Sequence, residues 1–253
     1  MEYNIFAALI YVTDTEEESV MRMYDWKEKR YEYDDQLYYE ATTTVNGEER
    51  LIIAARQNEM GMTAAATLST KIIERLRPRY LIMPGIAAGV QKEGHEDQMM
   101  GDVILANSVW NYSNGKYVSP HEAEIVFGDI GFLSRPTMIN VDEKLNGIFQ
   151  KAISSEKNEC YVHLGPLASG SAVVANRSVL DKQITGQFSY TQGLEMEAYG
   201  IAYAAKNATY PKPLAIIAKS ICDFADNRKD DRFQKFAAYT SCTFVKYLIE
   251  DVL

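Results

Sequence analysis

The 253-residue sequence predicts an α/β fold around one central sheet, and three observations carry that prediction. Helical and extended patterns alternate from end to end. Leu214 to Ile221 is a nearly continuous apolar run, as expected for an inner strand covered on both faces. A content of 47% apolar and 24% charged residues supplies a core and excludes a disordered chain. A chain of this length buries roughly 70–75% of its unfolded surface, so no disulfide or metal staple is needed. One domain over residues 1–253 is therefore expected rather than two small ones.

The elements follow in order. Ile5 to Val12 reads as a buried strand. Leu37 to Val45 and Leu51 to Ala55 flank Asn46-Gly47, a strong hairpin signal, so the sheet should also have antiparallel members. Met62 to Leu76 sets Ile72, Ile73 and Leu76 against Lys71, Glu74 and Arg75 and stops at Pro78, as a surface helix does. Tyr80 to Met83 is a short strand leading into a small-residue loop, Pro84-Gly85-Ile86-Ala87-Ala88-Gly89. Gln91 to Met100 reads as a polar surface excursion, Asp102 to Val109 as a strand, and Asn111 to Ser119 as turns. Asp142 to Ala152 is helical, Tyr161 to Ala168 extended, and Arg177 to Ile184 a short helix. Gly193 to Glu195 ends a strand, and Ala198 to Lys206 is a small-residue helix. In the last helix Phe233, Phe236, Ala237, Phe244, Leu248 and Val252 form one stripe of a 3.6-residue period.

Several functions are disfavoured. With 26 Lys+Arg against 35 Asp+Glu, the net charge of −9 argues against a surface for nucleic acid or an anionic membrane; solubility explains it. Cys160, Cys222 and Cys242 share no CxxC or Cys/His spacing, and His95, His121 and His163 form no i,i+4 pair, so neither metal nor cofactor is expected. The N-terminal apolar run carries acid in place of a basic flank and is too short to span a membrane, which makes the cytoplasm the expected compartment.

In open α/β sheets ligands gather beyond the carboxyl ends of strands, which singles out four places. Asp223 ends the Leu214 to Ile221 strand; burial there would raise its pKa toward that of a general acid, or it simply caps the next turn. If the strand continues that far, Glu195 and Glu197 fall on one side of it with Met196 on the other; otherwise the two carboxylates serve a helix dipole. Glu16-Glu17-Glu18 follows the first strand, where a solvated helix start is the plain alternative. The loops Glu59 to Thr63 and Gly85 to Gly89 match neither dinucleotide nor Walker patterns.

Taken together, MGMTAAATLSTKIIERLRPRYLIMPGIAAGV with MGDVILA, then LASGSAVV, GLEMEAYGIAYAA and AKSICDFAD with the terminal helix, resemble the nucleoside phosphorylase/nucleosidase superfamily. The resemblance is nearest to its methylthioadenosine/S-adenosylhomocysteine nucleosidase branch. It implies a three-layer α/β/α fold with a mixed, partly barrel-like sheet, and cleavage of a purine N-glycosidic bond. On that basis Asp223 matches the general acid that protonates the purine at N7, and Glu197 the carboxylate that holds the ribose 2′- and 3′-hydroxyls. Met196 would pack on the sugar, and Glu16, which fits the family register through Val20 and Trp26, would activate water. Ala88 matches a loop position beside ribose and base, and Val174 a residue whose backbone meets the adenine edge. Val173 stands where the nucleosidases commonly place a stacking phenylalanine, and Cys222 where they place serine. The resemblance also implies a homodimer acting on a small nucleoside or nucleotide.

An oxocarbenium-like transition state favours such carboxylates, whereas a phosphorylase also needs arginines for phosphate. Arg56 and Arg177 lie near the relevant loops but match no phosphorylase anion site, which favours hydrolysis. A phosphorylase, or a binding module without turnover, remains the alternative.

Overall fold

The computed structural model describes residues 2–32, 34–91, 97–226 and 231–253. Its centre is a closed five-strand barrel. Strands β5 (Pro78–Gly89), β6 (Val103–Asn111), β11 (Val162–Ser169), β12 (Gly193–Glu195) and β13 (Leu214–Asp223) close in the order β5-β13-β6-β11-β12 and back to β5. The pairing is mixed, because β13 runs parallel to β5 and antiparallel to β6. From β5 the sheet extends through β1 (Ile5–Tyr11), β4 (Glu48–Arg56), β3 (Tyr38–Val45) and β2 (Lys27–Lys29), while β10 (Thr137–Asn140) flanks β6.

Helices cover both faces, giving the three layers. On one side α2 (Met62–Leu76) and α5 (Ala198–Asn207) bury Leu68, Ile72, Ile201 and Ala205 against Ile10, Ile53 and Leu81. On the other side α1 (Asp14–Met21), α3 (Lys144–Ser154) and α6 (Gln234–Tyr247) bury Val20, Phe149, Phe244 and Val245 against Leu9, Ile82 and Ile216. Both faces of β1 and β13 are thus occupied, which is why their sequences run apolar rather than alternating. A short helix α4 (Arg177–Val179) continues in a wider turn over Leu180–Thr185 and closes a third cluster with Trp110, Tyr112 and Val174.

The hairpin turn falls at Asn46-Gly47, whose φ values of 51° and 81° are the left-handed pair that this dipeptide favours. Some sequence expectations need correction. The stretch from Pro84 to Gly89 is no loop: it completes β5, whose small residues let it pair with both β12 and β13. Ala88 is accordingly a strand residue. The run Asn111 to Ser119 is only partly turn, since β7 (Gly115–Val118), β8 (Ile125–Phe127) and β9 (Ile130–Ser134) make a separate three-stranded sheet. Phe233 and Phe236 leave the buried stripe of the last helix; both are exposed, and Phe236 lies against Gly101. Within Gln91 to Met100, residues 92–96, including His95, fall outside the described residues.

Candidate active site

A cavity of about 170 Å³ opens where β5, β12 and β13 end, beside the start of α1. All eight residues proposed from the sequence line it: Glu16, Ala88, Val173, Val174, Met196, Glu197, Cys222 and Asp223. Glu195 lines it too, so the cavity carries four carboxylates, and no Lys or Arg is among its described lining residues.

Glu16 reaches the cavity because Thr13 and Glu16 form a capping box. The Thr13 hydroxyl accepts the Glu16 N–H, and Glu16 Oε2 accepts the N–H groups of Thr13 at 3.1 Å and Val12 at 3.0 Å. Its Oε1 accepts the Ile86 N–H at 3.0 Å and faces Lys219 Nζ at 3.4 Å. Of the acidic run only Glu16 is buried; Glu17 pairs with Arg56, and Glu18 with Arg22 and Lys235. Burial opposes ionisation of Glu16, but Lys219 and the three backbone donors outweigh it and hold the carboxyl below its usual range.

Lys219 is the residue that the sequence reading missed. It lies mid-strand in β13, 1% exposed, and burial disfavours its charge; Glu16, Glu195 and Glu197 reverse that and raise its pKa. A lysine inside an apolar strand was the available signal, since an ammonium is almost never fully buried unless paired. Gly85 makes room for the pair. Its φ is +142°, and a Cβ there would meet Glu16 Oε1 at 2.0 Å and Lys219 Nζ at 2.6 Å.

The second acidic group sits where β12 gives way to α5. The strand stops at Glu195, so the alternation expected through Glu197 does not continue, and Glu195, Met196 and Glu197 all face the cavity. Capping of α5 falls to Glu195 rather than Glu197: its Oε2 accepts the N–H groups of Glu197 and Ala198, both at 2.8 Å. Glu197 instead accepts the Gly61 N–H at 2.7 Å, at the start of α2. Burial first, then the Glu195 charge, push the Glu197 carboxyl up to about 7.

Asp223, 4% exposed, closes the ring of acids. One oxygen accepts the Ala225 N–H at 2.8 Å, so the turn-capping reading holds in part; the other receives the Cys222 thiol at 3.5 Å. Val174 is buried and Val173, 56% exposed, stands at the rim. Arg56 and Arg177 do not reach the cavity. Arg56 pairs with Asp14 and Glu17 and donates to the Val12 carbonyl, while Arg177 pairs with Asp181. Among the described residues no cluster of His, Cys, Asp and Glu could hold a metal.

A closed mixed barrel between helical layers, with buried acids at its strand ends, defines the nucleoside-phosphorylase type of α/β protein. A family model described as the phosphorylase superfamily matches residues 9–253, and the chain belongs to that superfamily. The y4jS protein of Sinorhizobium fredii is 29% identical over 90% of this chain and 56% of its own length. The 5′-methylthioadenosine/S-adenosylhomocysteine nucleosidase of Bacillus velezensis is 25% identical over 76% of this chain and 77% of its own. ATP nucleosidase Cap17 of Escherichia coli is 27% identical over 74% of this chain and 39% of its own. The chain thus spans little more than half of y4jS and about two-fifths of Cap17. The Neisseria meningitidis 5′-methylthioadenosine/S-adenosylhomocysteine nucleosidase superposes with a TM-score of 0.75 at 20% identity, covering 97% of this chain and 98% of that one.

Proposed function

We propose that this chain hydrolyses the N-glycosidic bond of a purine nucleoside or nucleotide, with adenine as the released base. The observation that carries the reading is that Glu16, Glu197 and Asp223, three buried carboxylates from α1, the α5 boundary and β13, converge on one cavity. Departure of the base leaves an oxocarbenium-like sugar, and fixed anions around it stabilise the charge as it develops.

Asp223, held by the Ala225 N–H, is the proton donor to N7, so that the base leaves neutral. Glu197 takes the ribose 2′- and 3′-hydroxyls and Met196 packs on the sugar. Glu16 is the base for water. Its four acceptor positions are all engaged, and the 3.4 Å contact with Lys219 is the loosest, so it is the position that opens most readily to a water from the cavity. Ala88 and the Val174 backbone border the base. Val173 offers no ring to stack on it, and the Cys222 thiol is a weaker partner for its edge than a hydroxyl.

Phosphorolysis is the second reading. It would require a dianion beneath the sugar, and the engagement of Arg56 and Arg177 in ion pairs outside the cavity favours water instead. We further propose one catalytic domain over 1–253 acting as a cytoplasmic homodimer. The exposed Phe233, Phe236 and Tyr239, near the cavity-lining Gln234, support that assembly.

Methylthioadenosine, S-adenosylhomocysteine, adenosine, AMP and ATP, each with and without phosphate, test the reading by base release. Phosphate-independent release of adenine and free sugar is expected. Strict dependence on phosphate would select the phosphorylase, and ligand-induced thermal stabilisation without product would select a binding module.

A further inference from the structure

We propose that Glu195 is a positioning residue for Glu197: through the first turn of α5 it fixes where that carboxylate stands, and by its charge it governs when Glu197 is ionised. The catalytic consequence rests on the nucleosidase reading above; the electrostatic relation does not.

The geometry is closed on every side. Glu195 Oε2 takes the N–H groups of Glu197 and Ala198, and Oε1 accepts the hydroxyl of the fully buried Ser169 at 2.6 Å. Ser169 in turn accepts the Tyr199 N–H at 3.0 Å. Three successive amides at the start of α5 are therefore held by two side chains, and the Glu197 carboxylate, released from capping its own helix, is left to face the cavity.

The groups facing Glu197 come from four elements. Glu195 on β12 and Glu16 on α1 bring like charge, Lys219 on β13 brings the opposite charge, and the Gly61 N–H at the start of α2 donates a hydrogen bond. Asp223 lines the same cavity from β13. Burial and Glu195 are the two largest influences against the Glu197 anion, and they hold its carboxyl at about 7. At neutral pH the pair therefore keeps Glu197 poised between a neutral acid and an anion that accepts from a ribose diol. A carboxylate that must bind a sugar while it becomes a cation gains from this arrangement, because the developing positive charge draws out the ionised form.

Glu195→Gln is nearly isosteric. Its amide oxygen can keep both α5 amides and its NH₂ can donate to the Ser169 oxygen, so the fold is retained while the charge is removed. The test is a ¹³C NMR titration of protein labelled at glutamate carboxyl carbons, with the Glu197 resonance assigned by its loss in Glu197→Gln. In Glu195→Gln the Glu197 midpoint is expected to fall by about one pH unit or more, the usual scale for removing a neighbouring like charge. The acid limb of kcat/KM for adenosine should move down with it. Ser169→Ala keeps the charge and deletes only the hydroxyl; its Glu197 midpoint should stay near that of the native protein while Tm drops. A folded Glu195→Gln protein whose Glu197 titrates as in the native protein would overturn the proposal, as would a Ser169→Ala protein that matches Glu195→Gln. The titration needs no turnover, so absence of hydrolysis would count against the nucleosidase reading alone.

Discussion

Replacing Lys219 with methionine should produce a loss of stability that is large at neutral pH and smaller in mild acid. Both partners are 1% exposed, so the substitution leaves Glu16 as a buried anion without its cation. Breaking a buried pair in this way costs about 3–5 kcal/mol. For a chain of this size that corresponds to a fall in Tm of about 6–20 °C. The pH dependence follows from the direction of the Glu16 shift. In the native protein its pKa is lowered, so its contribution is present above the unfolded value and is lost as pH falls through the folded one. Without Lys219, burial opposes only the three backbone donors and the pKa rises; the carboxyl then neutralises on mild acidification and the penalty shrinks. Thermal unfolding of native and variant proteins at pH 7.5 and pH 5 measures the gap. It should narrow at pH 5, and adding Glu16→Gln, which removes the charge but turns an NH₂ against one of the backbone donors, should recover part of the loss at pH 7.5. A gap equal at both pH values, or below about 1 kcal/mol throughout, would refute the claim that this pair is a buried ion pair.

Three further outcomes are expected. Asp223→Asn should lower kcat at least about 10²-fold with Tm nearly unchanged, measured by adenine release and calorimetry, because it removes the proposed proton donor but keeps an acceptor for the Ala225 N–H. Glu197→Gln should abolish most activity yet stabilise the protein above pH 7. The raised Glu197 pKa means that the native protein loses stability as pH rises from the usual carboxylate range to about 7, and Tm against pH should lose that decline in the variant. Gly85→Ala should cost about 1–3 kcal/mol from left-handed strain alone. Because its Cβ would also displace Glu16 Oε1, kcat should fall well beyond what the change in Tm implies.

Motifs dominated by local chemistry were legible in the sequence, and those decided by what crosses the barrel were not. Asn46-Gly47 specifies its turn by itself, and α2 ends before Pro78 with Arg77 in the left-handed conformation, a local stop. The Thr13-x-x-Glu16 spacing is a local signal that the sequence reading left unused, and it explains why one member of the acidic run turns inward while the other two face solvent or Arg56. Pro84 to Gly89, by contrast, looks like a loop from its small residues, yet those residues are small because β12 and β13 both approach the strand there. The β7-β9-β8 sheet escaped notice because its strands are only three to five residues long and surrounded by turn formers.

Lys219 shows why composition alone undervalues a buried charge. In the sequence it interrupts an apolar strand; in the fold it is the buried cation against Glu16 and beside Glu195 and Glu197, and the ionisation of Glu16 and Glu197 depends on it. It keeps Glu16 ionised while Glu195 keeps Glu197 near neutrality, so two carboxylates in one small cavity are pushed in opposite directions. A site that must hold a water-activating base on one side and a diol acceptor on the other needs that separation, since two equally acidic groups could not divide the tasks. Losing Lys219 should therefore also drive the Glu197 midpoint above about 7, because a charge that favours its anion is gone. The same carboxyl titration read on Lys219→Met measures this, and an unchanged midpoint would disconnect the two halves of the site.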